Sequence, residues 1–211
     1  MASLRTSFSE RYTAVAILLH WLIAAGILAL IVIGLLMTQW QAAIGPMETF
    51  KLFQLHKSIG ITVLLLAAVR ILWRFTHKPP ALPADMPAVE KGAAHGLHGL
   101  LYVWMIALPL TGWAVVSSSP FNLPTVLYNL MPWPDLPVLP HLANKAAVSH
   151  TLGWVHAYGV WFLIGILALH IGAVFRHHFI KRDTILARMT PALQLRRIAP
   201  MTMYPQTDRD G

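Results

Sequence analysis

Two histidines fourteen residues apart, His156 and His170, bound a stretch with no charged residue. In a helix that interval rises about 21 Å and turns just under four times, so both imidazoles fall on nearly one face. One then lies towards each membrane surface. An imidazole in hydrocarbon is costly unless a partner satisfies it, so it reads as functional. Two stacked in this way suggest two iron centres, each needing a second ligand from a neighbouring helix. His20 and His56, earlier in the chain, are candidates for those ligands.

The elements that must position these residues are four long apolar runs. They cover Ala14 to Met37, about Phe50 to Trp73, about Ala93 to Val116 and about Ser149 to Phe175. Each is long enough to span ~30 Å of hydrocarbon. With 56% hydrophobic and 11% charged residues in 211, the composition is that of an all-α integral membrane protein, a four-helix transmembrane bundle. Residues 1–190 form the bundle and residues 191–211 a basic tail. A Pro-rich linker follows the second run, and a long loop with six prolines joins the third to the fourth. Formal net charge is +8. The cations flank apolar helices, which argues for membrane topology and against nucleic acid. With no cysteine, disulfides, thiolate-ligated clusters and covalently attached c-type haem are excluded. No Asp or Glu falls within the expected spans, which argues against a carboxylate-lined proton pump. The same lack argues against a histidine-based metal transporter.

Thirteen of the sixteen Lys and Arg residues fall on one side of this topology. The positive-inside rule makes that side cytoplasmic, with both termini there. Four alternating spans then fix depth. His20 and His170 share the inner half; His56 and His156 share the outer half. Neutral imidazole is an axial ligand of haem iron, and two such ligands leave no open position for oxygen. The expectation is two b-type haems carrying electrons, with Gly60, Gly159 and Gly172 leaving room for the flat macrocycles.

Several motifs in order resemble the bacterial dihaem cytochrome b561 family. They are His20-Trp21, Leu55-His56-Lys57-Ser58-Ile59-Gly60, Val69-Arg70 to Arg74 with Lys78-Pro79-Pro80, and His95-Gly96-Leu97-His98. Ala107-Leu108-Pro109 with Gly112, the His156/His170 pair, and His177-His178 through Met189 complete the set. The resemblance covers roughly Arg11 to Pro191. It implies axial roles for His20, His56, His156 and His170, and ubiquinone as electron acceptor. Some members are similar to superoxide oxidases, which pass an electron from external superoxide through the haems to quinone. The alternative is an electron-carrier or membrane-anchor cytochrome subunit serving a dehydrogenase or hydrogenase partner.

Other residues are candidates for supporting roles. Lys57 could pair with an outer haem propionate, and Arg70 and Arg74 with inner ones; each also reads as a snorkelling or positive-inside cation. His95 and His98, three apart, could bond a propionate or a quinone carbonyl, or form an interfacial polar pair. His177 and His178 offer proton exchange with quinone, or a basic anchor. His141, Lys145 and His150 would make an outer cationic cluster able to steer an anion such as superoxide.

Overall fold

The computed structural model describes residues 11–190. Helix α1, Ala14–Gln39, starts where the Thr13 hydroxyl accepts from the Ala16 amide at 3.2 Å. A short α2, Gln41–Ile44, ends at Gly45, whose φ of 88° turns the chain, and Pro46 opens α3, Pro46–Thr76. Pro suits a first helical turn because its missing N–H would have no partner there. Helix α4, Ala88–Ser117, follows Pro87, and α5 runs Lys145–Phe175. It continues as a wide turn, Arg176–Lys181, stopped by Arg182 in the left-handed conformation at φ 53°.

Four of these helices are long and apolar enough to cross a membrane. They are longer than the apolar runs alone predict. Helix α3 has 31 residues, about 46 Å at 1.5 Å each, so its ends project beyond ~30 Å of hydrocarbon. Glu48 and Glu90, which precede the expected apolar runs, are therefore in the first helical turns of α3 and α4. Hydropathy marks where lipid begins; the helix ends only at a residue that breaks it.

The six-proline loop contains strands. It forms an antiparallel hairpin of β1, Thr125–Leu127, and β2, Met131–Trp133, with Thr125 opposite Trp133. One face of α3 holds it. Gln54 donates to the Pro124 carbonyl at 3.0 Å and accepts from the Val126 amide at 3.4 Å. Ser58 accepts from the Tyr128 amide at 2.9 Å, and Thr62 shares a 2.7 Å hydrogen bond with the Tyr128 hydroxyl. Gln54, Ser58 and Thr62 are four apart, hence on one helical face.

Helix α1 packs on α3, α3 on α4, and α4 on α5. Two glycines permit close approach. A Cβ on Gly26 would lie 2.6 Å from Val63, and one on Gly159 would lie 2.8 Å from Leu108. Gly159 thus serves α4–α5 packing. Nothing lies within 4 Å of a Cβ built on Gly172. At mid-bundle, Ile23, Ile27, Val63, Ala67, Leu163 and Ile166 form a dry core layer. Leu18, Leu28, Leu65 and Leu169 face outward and are exposed, as suits a lipid-facing surface.

The two ends differ. At the hairpin end the loop folds over the bundle. At the basic end, Arg176 and Lys181 of the wide turn both pair with Glu90 of α4. There Arg188 donates to the Ala81 carbonyl at 2.7 Å, and Trp21 to that of Met189 at 2.7 Å.

Candidate functional site

The dry layer separates two pairs of imidazoles. Towards the hairpin end, His56 of α3 faces His156 of α5, with ring centres 6.4 Å apart. Towards the basic end, His20 of α1 faces His170 of α5, also at 6.4 Å. A direct N–H···N bond of roughly 2.9 Å would bring such centres to roughly 5 Å. Two imidazoles on one metal, with bonds of about 2 Å each, separate their centres by roughly 6 Å. Both pairs have the second spacing. Among the described residues, neither belongs to a group of three or more His, Cys, Asp or Glu side chains able to hold a metal. A two-imidazole set suits a metal whose other positions are filled by a macrocycle.

A cavity of about 470 Å³ adjoins the hairpin-end pair. His56, His156, Gly60 and Gly112 line it, as does Trp104. Two glycines press directly on the imidazoles. A Cβ on Gly34 would lie 3.4 Å from His56 Cε1, and one on Gly112 would lie 3.0 Å from His156 Cε1. At Gly34 and Gly112 the lack of a side chain makes room for the imidazoles themselves.

The hydrogen bonds of His156 fix its tautomer. Its Nδ1 is 3.1 Å from the Leu108 carbonyl and 3.0 Å from Thr111 Oγ1. A carbonyl only accepts, so Nδ1 carries the proton. The Thr111 hydroxyl donates to the same Leu108 carbonyl at 2.7 Å, leaving its oxygen to accept from His156. Nε2 therefore keeps its lone pair for a metal. His56 differs: its Nδ1 is buried without a well-formed hydrogen bond. The donor set, the glycine cradles and the cavity fit a haem held by imidazoles. Thr111, Gly34 and Gly112 escaped the sequence reading of roles. The Ala107-Leu108-Pro109-x-x-Gly112 motif held two of the three positions that support His156.

The remaining candidates distribute as follows. Lys57 lines the same cavity and donates to the Pro124 carbonyl at 3.3 Å. At the basic end, the His98 ring is 5.3 Å from that of His170, edge to face. His98 and His95 donate Nδ1–H to the carbonyls of Ala94 and Lys91, at 2.6 and 2.7 Å. Among the described residues neither Nε2 has a hydrogen-bond partner. Arg70 donates to the Ala16 carbonyl at 2.6 Å, and Arg74 lies over the Tyr102 ring. Both line a small surface pocket with Arg11, Tyr12 and Lys78. Burial pushes the Tyr12 phenol up from its ordinary pKa, with nearby Arg74 opposing. His177 pairs with Asp183 and is drawn away from solvent, while exposed His178 sits against Phe179. At the hairpin end, Lys145 bonds Asn122 and His150 accepts from Trp154, while His141 ends a short turn.

A family model described as prokaryotic cytochrome b561 matches residues 11–192. The chain is 29% identical over 187 residues to cytochrome b561 homolog 2 of Escherichia coli (strain K12), covering 87% of this chain and 93% of that protein. It is 28% identical over 184 residues to cytochrome b561 homolog 1 of the same organism, covering 86% and 98%. A protein of Yersinia pestis named probable superoxide oxidase CybB is 27% identical over 185 residues, covering 86% and 97%.

Proposed function

Since the chain belongs to the prokaryotic cytochrome b561 family, a family of haem-binding membrane bundles, we propose that it is a two-haem electron carrier of the bacterial inner membrane. Its most concrete activity is superoxide:ubiquinone oxidoreductase. His56 with His156, and His20 with His170, are the proposed axial ligands. When bound, haem would supply one-electron oxidation and reduction there. The observation that carries this reading is the pair of equal 6.4 Å imidazole separations.

The chain's own residues do the rest. Helix α5 contributes one imidazole to each pair and so sets the distance between them. The layer of Ile23, Ile27, Val63, Ala67, Leu163 and Ile166 keeps water, and with it protons, out of the middle. Electrons can cross such a layer without an accompanying ion. By the positive-inside rule the basic end is cytoplasmic.

Superoxide as donor rests on the name of one relative and on chemistry at the hairpin end. Lys57 and Lys145 place positive charge at that end, opposed by Asp135, and a local excess of positive charge raises the concentration of an anion. Each superoxide gives up one electron and leaves as dioxygen. Reducing one ubiquinone takes two electrons and two protons, and those protons come from the basic side. There the His98 ring lies 5.3 Å from that of His170, and His95 and His177 lie at the same end; an imidazole can relay a proton between its two ring nitrogens.

A second reading, an electron-carrier subunit docked on a protein donor, is favoured by the exposure of Phe121 and Leu130 on the hairpin loop, at 78% and 86%. Two measurements separate these. A pyridine haemochrome assay on purified protein is expected to give two haem b per chain. A superoxide pulse in stopped flow is expected to reduce them at a near-diffusional rate. Two haems with no reduction would leave the carrier reading and remove the oxidase one.

A further inference from the structure

Three hydrogen-bond donors line the hairpin end of the large cavity, and among the described residues two have no partner. Thr125 Oγ1 and Trp133 Nε1 are both buried without a partner. They come from directly opposed positions of the hairpin, where side chains project to the same face about 5 Å apart. Both residues line the cavity that holds His56 and His156, as does Lys57. Thr125 is 4% exposed. Buried polar groups are nearly always satisfied, and an exception calls for an explanation.

The donor chemistry restricts what satisfies them. An indole N–H and an ammonium donate and never accept, and a hydroxyl does either. Lys57 has three hydrogens and gives one to the Pro124 carbonyl, leaving two. The partner must therefore present acceptor oxygens, and beside an ammonium a carboxylate is favoured. The hairpin is held in place for this: Gln54, Ser58 and Thr62 pin it to α3, and Trp133 packs on Trp113, with ring centres 5.7 Å apart. Trp113 in turn donates to the Pro134 carbonyl at 2.9 Å.

We propose that Thr125, Trp133 and Lys57 form a carboxylate clamp that takes a propionate of the haem held by His56 and His156. The inference rests on the haem reading above. It makes the hairpin part of the cofactor site, in addition to the helices. The clamp explains why two polar side chains of a surface hairpin turn inward to a cavity lined mostly by apolar groups.

The test uses the full chain, purified with its haems in lipid nanodiscs. Resonance Raman spectra report propionate bending modes, which shift when a hydrogen bond to the carboxylate is lost. In W133F and in T125V the bending mode of one haem is expected to shift, with the other haem unchanged. In K57Q the same mode is expected to shift, and haem transfer from that site to apomyoglobin is expected to quicken severalfold. Wild-type protein with no haem would remove the underlying reading. Wild-type protein with two haems, and unshifted propionate modes in all three variants, would overturn the clamp alone. Should W133F lose its haem altogether, T125V and K57Q still decide the matter through the same mode.

Discussion

At the residue scale, the imidazoles are unequal. His156 is held by two acceptors on α4, the Leu108 carbonyl and the Thr111 hydroxyl, whereas His56 has no well-formed bond at Nδ1. An acceptor on the far nitrogen makes an imidazole a stronger electron donor and favours oxidised iron. T111V, close in shape, removes one acceptor. Its expected effects are a higher midpoint potential for one haem in a redox titration and a haem affinity lower by about tenfold. T111S, which keeps the hydroxyl, is expected to behave like the wild type. H156A is expected to abolish one low-spin haem signal and spare much of the other; unaltered spectra would refute the pairing. The four histidines were legible because depth and helical period are properties of the chain alone. Thr111, Gly34 and Gly112 were not, because their importance depends on how α4 faces α5 and how α1 faces α3. No run of sequence records those rotations.

At the scale of elements, the helices were legible to within a few turns. Apolar runs locate the lipid, and the polar turns that extend each helix carry no comparable signal. The hairpin was hidden for another reason. Its strands have three residues each, too short for a period, and its attachment points on α3 lie about 70 residues away. Ser58, fully buried, is central to that attachment: it donates to the Gln54 carbonyl at 2.8 Å and accepts from Tyr128. S58A leaves the Tyr128 amide without its partner, at a cost of about 1–3 kcal/mol. Hydrogen exchange at that amide is expected to rise by one to two orders of magnitude, with α1 and α5 protected as before. Equal protection in the hairpin would show that Gln54 and Thr62 suffice.

At the scale of the whole molecule, the charge distribution decides how the bundle sits. Arg70, Arg74, Arg176, Lys181 and Arg188 lie at one end, and Glu90 gathers two of them. Orientation is open to a clean assay because the chain has no cysteine. A single cysteine at Asp85 is expected to react with an impermeant thiol reagent only after the inner membrane is opened. One at Phe121 is expected to react in intact spheroplasts. The reverse pattern would invert the topology and with it the proposed direction of electron flow. The basic segment expected at 191–211 lies outside the described residues.

Helix α5 has a consequence of its own. Because a single rod bears a ligand of each pair, the two sites share one phase. One extra residue between His156 and His170 would swing the later ring by about 100° and strand His20 without its counterpart; four would nearly restore its bearing but lengthen the gap by about 6 Å. The interval is thus quantised: it tolerates changes by whole turns, and every such change resets how far an electron must jump.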